Sequence, residues 1–455
     1  MNDTKMTGME LRATWSLCTV LSLRMLGMFM VLPVLTTYGM TLQGASEFLI
    51  GLSIGIYGLM QAICQIPCGL FADRVGRKQF IIGGLLVFSL GSFIAAMTEN
   101  IWGVILGRAL QGSGTVSAAI MALLSDLTRE QNRTKAMAFI GVSFGVTFAI
   151  AMVVSPIITH NIGLRGLFGG ITALALVSVF LTQFVVPNAI KHTINREANI
   201  VRSSIGKILT NSQLLKLNMS IFCLHTILMS NFIALPAMMA AADFLPNKQW
   251  KVYLITMLVS FAAVVPAIIY AEVKRRMKLL LLGCVTLLLF TELLLIFANG
   301  YLLMMFVGIQ LFFLAFYVIE ALLPSLISKE APASYKGTAM GVYSTSQFIG
   351  VAFGGTLGGF MLQTQGSCLV FLAGAVVALA WWVISATLRE PPYVSSLRIT
   401  LPISCASVDY DQLAQRLQAH PGVTEVVVVP QEHSVYVKVD ITQTNRTELE
   451  KAVAV

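Results

Sequence analysis

Long apolar segments limit what this 455-residue chain can fold into. About twelve of its segments are apolar over the ~20 residues that a helix needs to cross a bilayer. The chain is 56% hydrophobic and only 11% charged, which is too apolar for a water-soluble domain of this size. We therefore predict an all-α membrane protein with twelve transmembrane helices, at residues 14–38, 48–72, 79–97, 102–124, 136–160, 164–187, 213–241, 250–271, 278–298, 301–326, 337–363 and 367–389.

The first apolar segment follows a short polar stretch, residues 1–13. It is too long for a removable signal peptide and lacks the small-residue cleavage site of one. We expect it to be retained as a membrane span.

The net charge of +9 raises the question of a nucleic-acid partner, which its distribution does not favour. Most of the 30 Lys and Arg residues lie at the termini and in alternate loops between the predicted spans. Lys and Arg collect on the cytoplasmic side of membrane proteins. The pattern predicts a multi-pass protein of the bacterial inner membrane with both termini in the cytoplasm, and no nucleic-acid partner.

The seven cysteines form neither a CxxC motif nor a Cys/His pairing, so they predict no disulfide framework and no metal site. No GxxxxGK[ST] phosphate loop occurs, and no Ser/His/Asp set suggests catalysis. We expect no cofactor and no enzymatic activity.

The two sets of six predicted spans carry an internal repeat. The pattern FxxLP at position 29 recurs at 232, and the pair Ala-Met at 136 recurs at 339, so both copies have the same offset. We predict a first half at residues 1–187, a cytoplasmic linker at 188–212 and a second half at 213–389. A substrate site is then expected between the halves, near the middle of the bilayer.

After a Glu-Pro-Pro break and a linker at residues 390–396, the composition becomes that of a soluble domain. Alternation and helical periodicity predict a strand at 396–401, a helix at 408–420, strands at 423–429 and 434–439, and a helix at 447–453. This βαββα order is that of a small α+β ferredoxin-like domain without its last strand, at residues 397–455. A regulatory module, or one that self-associates, is the favoured hypothesis. Its loop at 402–406 has one cysteine where a metal loop needs two.

The loop between the second and third spans concentrates four charges and two glycines in the sequence GLFADRVGRK, residues 69–78. These charges either orient the chain or form a hinge of a transport protein. The segment resembles the signature loop between helices 2 and 3 of the major facilitator superfamily. The sequence LGRALQGSG at 106–114 is similar to the fourth-helix motif of its proton-linked members. The resemblance covers the whole chain and is greatest to the drug/proton antiporter group. It implies two six-helix pseudo-repeats and transport by alternating access.

The resemblance also implies a conformational lock at this loop. Asp73 would lie against the amino end of helix 11, where a helix terminus favours an anion, and Arg77 would pair with Asp126. A close approach of Gly69 to a glycine at 350, 354 or 358 would bring two backbones together. Ordinary small-residue packing is the alternative for those glycines. The predicted lock consists of Gly69, Asp73, Arg74, Gly76, Arg77, Lys78 and Asp126.

The group's helix 5 signature is incomplete here, because two of its glycines are replaced at residues 151–160. Antiport and symport therefore both stay open at the level of the sequence.

Ionisable residues inside spans are costly, so by default they indicate function. The first half has arginines in two spans and no carboxylate in the middle of a span, so a proton carrier is expected in the second half. We prefer Glu320, which shares a helix face with aromatic residues, and then His225; Glu292 comes third, with packing as its favoured role. Core hydrogen bonding is the alternative for His225, and pairing with a polar neighbour for Arg108. The proton-coupling candidates are Glu320, His225, Arg108 and Arg24.

Polar side chains also recur at helical spacing, every four residues in span 2 and seven apart in span 7. Such stripes either line water or hold helices together. We favour the first, and the candidates for a cavity lining are Tyr57, Gln61, Gln65, Asn218, Phe316, Tyr317 and Gln347.

The function favoured by these features is a proton-coupled secondary transporter that moves a small organic solute or drug outward by proton antiport. Its partners would be the solute, protons and the lipid bilayer. The alternatives are a proton symporter for uptake and a membrane sensor read out through the tail.

Overall fold

Helices make up most of the structure, a computed structural model that describes residues 6–188, 205–332, 335–390, 395–401, 410–429, 434–440, 443–444, 449 and 452. We call residues 6–188 the first half, 205–390 the second half and the remainder the tail. The helices of the first half are α1 (Gly8–Phe29), α2 (Leu32–Tyr38), α3 (Glu47–Val75), α4 (Arg77–Met97), α5 (Ile101–Ser113), α6 (Ser117–Leu127) and α7 (Glu130–Phe184). Those of the second half are α8 (Ile205–Thr210), α9 (Ser212–Ala241), α10 (Gln249–Val273), α11 (Met277–Phe297), α12 (Leu302–Glu330), α13 (Lys336–Gln365) and α14 (Ser367–Ala386).

Local sequence accounts for several helix ends. Thr7 and Glu10 form a reciprocal capping box at the start of α1. Asn211 caps α9 by accepting from two backbone N–H groups. Gly76, with φ of 105°, separates α3 from α4, in a backbone conformation that other residues rarely adopt.

In the described residues, nine helical segments are long and apolar enough to cross a membrane. They are Gly8–Thr41, Glu47–Ala72, Arg77–Met97, Lys135–Phe184, Ser212–Ala241, Pro246–Val273, Met277–Phe297, Leu302–Glu330 and Ser367–Ala386. The predicted spans differ from this in two places: the span predicted at 102–124 is interrupted between α5 and α6, and α13 is not among the nine. The spans predicted at 136–160 and 164–187 both belong to α7, where the non-helical backbone of Gly163 separates two helical parts at the predicted boundary.

The helical body has an apolar outer surface and an apolar interior in which some polar side chains are buried. Large side chains such as Phe93 and Phe180 are at least half exposed on its outer surface, as expected for contact with lipid. Arg24, Gln61 and Arg108 are almost completely buried within it.

The two halves meet most extensively where α3 packs against α13. A Cβ added at Gly51 would lie 2.4 Å from the carbonyl oxygen of Gly355, and one added at Gly58 would lie 2.7 Å from that of Phe348. These glycines let the two backbones touch. The expected contact of Gly69 with glycines of helix 11 is wrong in its partners: Gly350 and Gly354, like Gly358, pack against α9.

The tail contains β1 (Ser395–Thr400), α15 (Tyr410–Gln418), β2 (Val423–Val429) and β3 (Ser434–Val439). The strands form one antiparallel sheet in the order β1-β3-β2. The bounds predicted for β2 and β3 are confirmed in full, and those for β1 and α15 to within about two residues. Most of the second predicted helix and the loop at 402–406 fall outside the described residues.

Candidate functional site

The contact of α3 with α13 is called here the seam between the halves. Three polar side chains from three helices of the second half meet beside it. Gln347 Nε2 on α13 lies 2.9 Å from His225 Nε2 on α9 and 3.3 Å from Glu320 Oε1 on α12. Glu320 Oε2 is 3.9 Å from His225 Nε2. Glu320 and His225 were the two preferred proton carriers, and Gln347 was a predicted lining residue. The fold brings all three together, and we call them the seam cluster.

The geometry of the seam cluster allows two hydrogen-bonding states. His225 Nδ1 is 3.3 Å from the carbonyl oxygen of Ile221, so a neutral imidazole donates there and accepts from the Gln347 amide. If a proton is added at Nε2, a flipped Gln347 amide can accept from it, but that amide then no longer donates to Glu320 Oε1. Protonation of His225 therefore breaks the bond between Gln347 and Glu320 unless Glu320 is protonated as well, which links the two titrating groups.

The surroundings of the cluster are aromatic and poor in charge. The Phe316 ring lies 6.0 Å from the His225 ring, and Tyr317 and Tyr343 are buried close to Glu320 on the same and the next helix. In the described part of the chain, Glu320 Oε2 accepts no hydrogen bond and has no cationic neighbour nearer than His225. A buried carboxylate with so few partners is costly unless it takes up a proton or a cation approaches.

Arg24 forms a second polar group, inside the first half. Its Nη2 donates to Gln61 Oε1 at 2.9 Å and lies 3.4 Å from the carbonyl oxygen of Gly114, and its guanidinium faces the Phe88 ring. Gln61 and Gln65 both bond Thr115. The predicted polar stripe of α3 therefore serves this group, and Thr115 was not foreseen.

Arg108 of α5 lies in a separate group, beside Tyr57 of α3. Its guanidinium stacks 4.4 Å over the Tyr57 ring, and Nη1 donates to Gln111 Oε1 at 2.9 Å. Gln111 in turn donates to Ser92 on α4. Gln111 was missed, although its position three residues after Arg108 is the spacing of neighbours on one helix face.

The loop between α3 and α4 contains the expected ion pair. Arg77 Nη1 contacts Asp126 Oδ2 and also donates to the carbonyl oxygen of Ala122 at 2.8 Å, so it ties α4 to α6 within the first half. Arg77 and Asp126 are almost fully buried. Lys78 bonds the carbonyl oxygen of Val186. The side chain of Asp73 lies outside the described residues, so its expected contact with helix 11 stays a prediction.

Glu292, the third carboxyl candidate, is isolated from the seam cluster. It is completely buried, and its Oε1 accepts a 2.7 Å bond from Asn231 of α9. Its Oε2 packs against Gly374 of α14, where an added Cβ would lie 2.4 Å away. This contact links α9, α11 and α14, as the packing role expected for Glu292 requires. Asn231 was not foreseen.

The remaining lining candidates are packed inside the helical body rather than around open space. Asn218 has no side-chain hydrogen bond within the described residues. The larger of the described cavities, about 310 Å³, lies between α2, α3, α9 and α13 at the far end of α3 from Arg77. Glu47 is the charged residue of its lining, and none of the predicted lining residues takes part.

Comparison with known proteins places these features in a family. Residues 17–355 match the family model of the Major Facilitator Superfamily, and residues 397–454 match that of the YajR YAM domain. The chain is 61% identical over 456 residues to the inner membrane transport protein YajR of Escherichia coli, covering 100% of this chain and 99% of the relative. It is 26% identical to multidrug resistance protein 2 of Bacillus subtilis, over 39% of this chain and 46% of that protein. The solved nucleoside transporter NupG superimposes with a TM-score of 0.66 at 13% identity, over 82% of this chain and 99% of its own.

Proposed function

From its membership of the major facilitator superfamily, to which this chain belongs, we propose that the protein is a proton-coupled secondary transporter. It exports a small organic solute, of the drug type, in exchange for protons. The family and the transport protein similar along its whole length make it a membrane transporter and not an enzyme. Proton coupling and the direction of transport are our inference.

The seam cluster is the observation that carries this proposal. It contains two groups that titrate, Glu320 and His225, with an amide between them that can donate or accept. Two buried groups at this separation change each other's proton affinity, so they titrate as a unit. Ionisable residues placed so deep in a membrane protein are the usual components of proton relays.

The position of Gln347 supports coupling between this proton site and the movement of the halves. The next residue of α13, Phe348, supplies the carbonyl oxygen that Gly58 of α3 touches across the seam. A change of charge in the cluster therefore acts within one residue of the contact between the halves. Only a differential interaction of this kind can shift an equilibrium between two access states.

Several finer features belong to the same proposal. We infer twelve spans, counting α5 with α6 as one span, α13 as another and α7 as two that divide at Gly163. The 50-residue segment Lys135–Phe184 would extend over about 75 Å as one straight helix, more than twice the hydrocarbon thickness. We also infer that both termini are cytoplasmic, that the domain boundaries are those given by the sequence, and that the tail is ferredoxin-like, since β3 lies between the two strands that α15 joins.

The roles of Arg24, Arg108 and the residues of the α3–α4 loop are part of the proposal too. The buried Arg77–Asp126 pair keeps α4 and α6 in register within the first half. We propose that this ion pair holds in place the loop between α3 and α4, which locks one access state. Arg24 and Arg108 place two buried positive charges in the first half.

Transport in proteoliposomes under an imposed pH gradient tests the proposal, with ethidium and tetracycline as first probes and a thermal-shift screen to extend the set. Antiport predicts that the probe crosses the membrane in the direction opposite to that of proton flow. Glu320→Gln should abolish the pH dependence while the probe still shifts the melting temperature. Glu292→Gln is the matched control, because it alters another carboxyl group within a helix of the same half, one that lies outside the seam cluster.

The other outcomes decide between the alternatives. Entry of the probe together with protons identifies an uptake symporter. Loss of coupling in Glu292→Gln but not in Glu320→Gln moves the proton site to α11. Solute binding with no flux under any gradient would refute transport and support the sensor hypothesis.

A further inference from the structure

The central strand of the tail is buried on both of its faces. Side chains alternate along a strand, so Val435, Val437 and Val439 share one face, which packs against Leu413 and Leu417 of α15. Ser434, Tyr436 and Lys438 share the other face. An antiparallel sheet with a helix on one side commonly leaves its other side in water. Here the exposed fractions on that side are 0% for Ser434, 0% for Tyr436 and 6% for Lys438.

The body of the protein covers part of this second face. Lys438 Nζ donates to the carbonyl oxygen of Lys329 at 3.0 Å, in the last turn of α12. Carbonyl groups in the last turn of a helix have no partner within the helix and carry a partial negative charge, so a cation there is favourable.

A second polar contact lies two residues further along the chain. Asp440 Oδ2 is 3.0 Å from Arg275 Nη2, just beyond the end of α10. Lys329 Nζ in turn pairs with Glu272 Oε1 of α10 at 2.6 Å. The tail therefore contacts the ends of two helices that are also bonded to each other.

The burial of Lys438 indicates a specific interface rather than a chance contact. Removal from water lowers the pKa of its ammonium group, and the nearby carboxylates of Glu425 and Glu330 oppose that shift. Glu425 lies 3.7 Å away on β2, within the tail. A buried lysine is costly unless such partners are in place.

We propose that the sheet face formed by Ser434, Tyr436 and Lys438 is a docking surface for the ends of α10 and α12. The tail is thereby fixed to the second half and moves with it when the halves rock. This docking does not depend on the proposed proton coupling. It makes the tail an integral part of the second half, to which the linker alone would connect it if the docking contacts were broken.

Pulsed electron–electron distance measurements on the full-length protein test the docking. Spin labels go at Gly206→Cys in α8, where an added side chain meets open space, and at Ala419→Cys, which is exposed on the tail, in a variant without native cysteines. We expect one narrow distance distribution. Lys438→Met and Arg275→Asp should each at least double its width, and the exchanged pair Arg275→Asp with Asp440→Arg should restore it.

The matched control is Arg416→Met, which removes a cation from the exposed side of α15. It should leave the distribution narrow. The docking is refuted if the Lys438 and Arg275 variants stay as narrow as the parent, or if the control broadens as much as they do. The Arg275 variants keep the test valid if Lys438→Met does not fold, because the Arg275 side chain is more than half exposed.

Discussion

The glycines of α3 make the seam between the halves a direct test of alternating access. In Gly51→Ala the new Cβ would lie 2.4 Å from Gly355 O and 2.7 Å from Gly359 Cα. Both are backbone atoms, so no side-chain rotation can remove the clash. Ordinary contact needs about 1 Å more, and overpacking of this kind costs about 1–3 kcal/mol. If that cost falls on the conformation seen here alone, the population shifts by roughly 5- to 150-fold toward a state in which these ends are apart.

The assay is again a distance measurement, now between labels at Gln43→Cys and Thr364→Cys, which are exposed near the touching ends of α3 and α13. We expect a second, longer distance in Gly51→Ala. Gly83→Ala on α4 is the matched control, because a Cβ there meets no atom within 4 Å. It reports the effect of Gly→Ala on helix propensity alone. Equal distributions in the two variants would show that the glycine contact does not hold the halves together.

Three further predictions concern pairs within one half. Asp126→Asn should leave the buried Arg77 without its carboxylate, a loss that costs about 3–5 kcal/mol for a buried pair. The melting temperature should therefore fall well below that of the control Arg74→Gln, a change at an exposed neighbour. Equal melting temperatures of the two variants would contradict the importance of the pair. Arg108→Lys should weaken the contact with Tyr57 and the bond to Gln111, because an ammonium group lacks the planar fork, and we expect a lower melting temperature that Arg108→Gln does not rescue. Gly374→Ala should displace the Glu292 carboxyl group and destabilise the second half by about 1–3 kcal/mol, while Gly283→Ala, in open space on α11, should be neutral in the same thermal assay.

Local patterns predicted what depends on neighbouring residues. The valine run at 423–429 and the alternation at 434–439 predicted both strands, because each contributes side chains to the core of the tail. Charge density and two glycines located the α3–α4 loop, where Gly76 adopts the positive φ that its residue type permits. The proton candidates followed from the rarity of charge within apolar segments.

Contacts between residues distant in sequence could not be predicted from local patterns. Arg24 bonds a residue of α3 and the residue that follows α5, and Glu292 bonds a residue of α9, so each depends on how helices are arranged. The break between α5 and α6 falls inside one predicted span, so hydropathy gave no boundary there, whereas the division at Gly163 falls between the spans predicted at 136–160 and 164–187. The spacing of Gly51, Gly55 and Gly58 was a visible signal of close helix contact, yet the sequence does not say which helix they meet.

Under the proposed proton coupling, the packing of α9 on α13 determines how a proton at the seam cluster would produce movement. Thr226 and Ser230 of α9 lie within 3.4 Å and 3.1 Å of the carbonyl oxygens of Gly350 and Gly354, so these two helices are held backbone to backbone. His225 and Gln347 therefore form one rigid unit, and a change of charge cannot be relieved by sliding α9 along α13. The strain must pass either to α12, which joins the cluster through Glu320, or to the contact of α13 with α3. The α13–α3 contact runs between the halves, so it is the one through which proton binding can drive rocking.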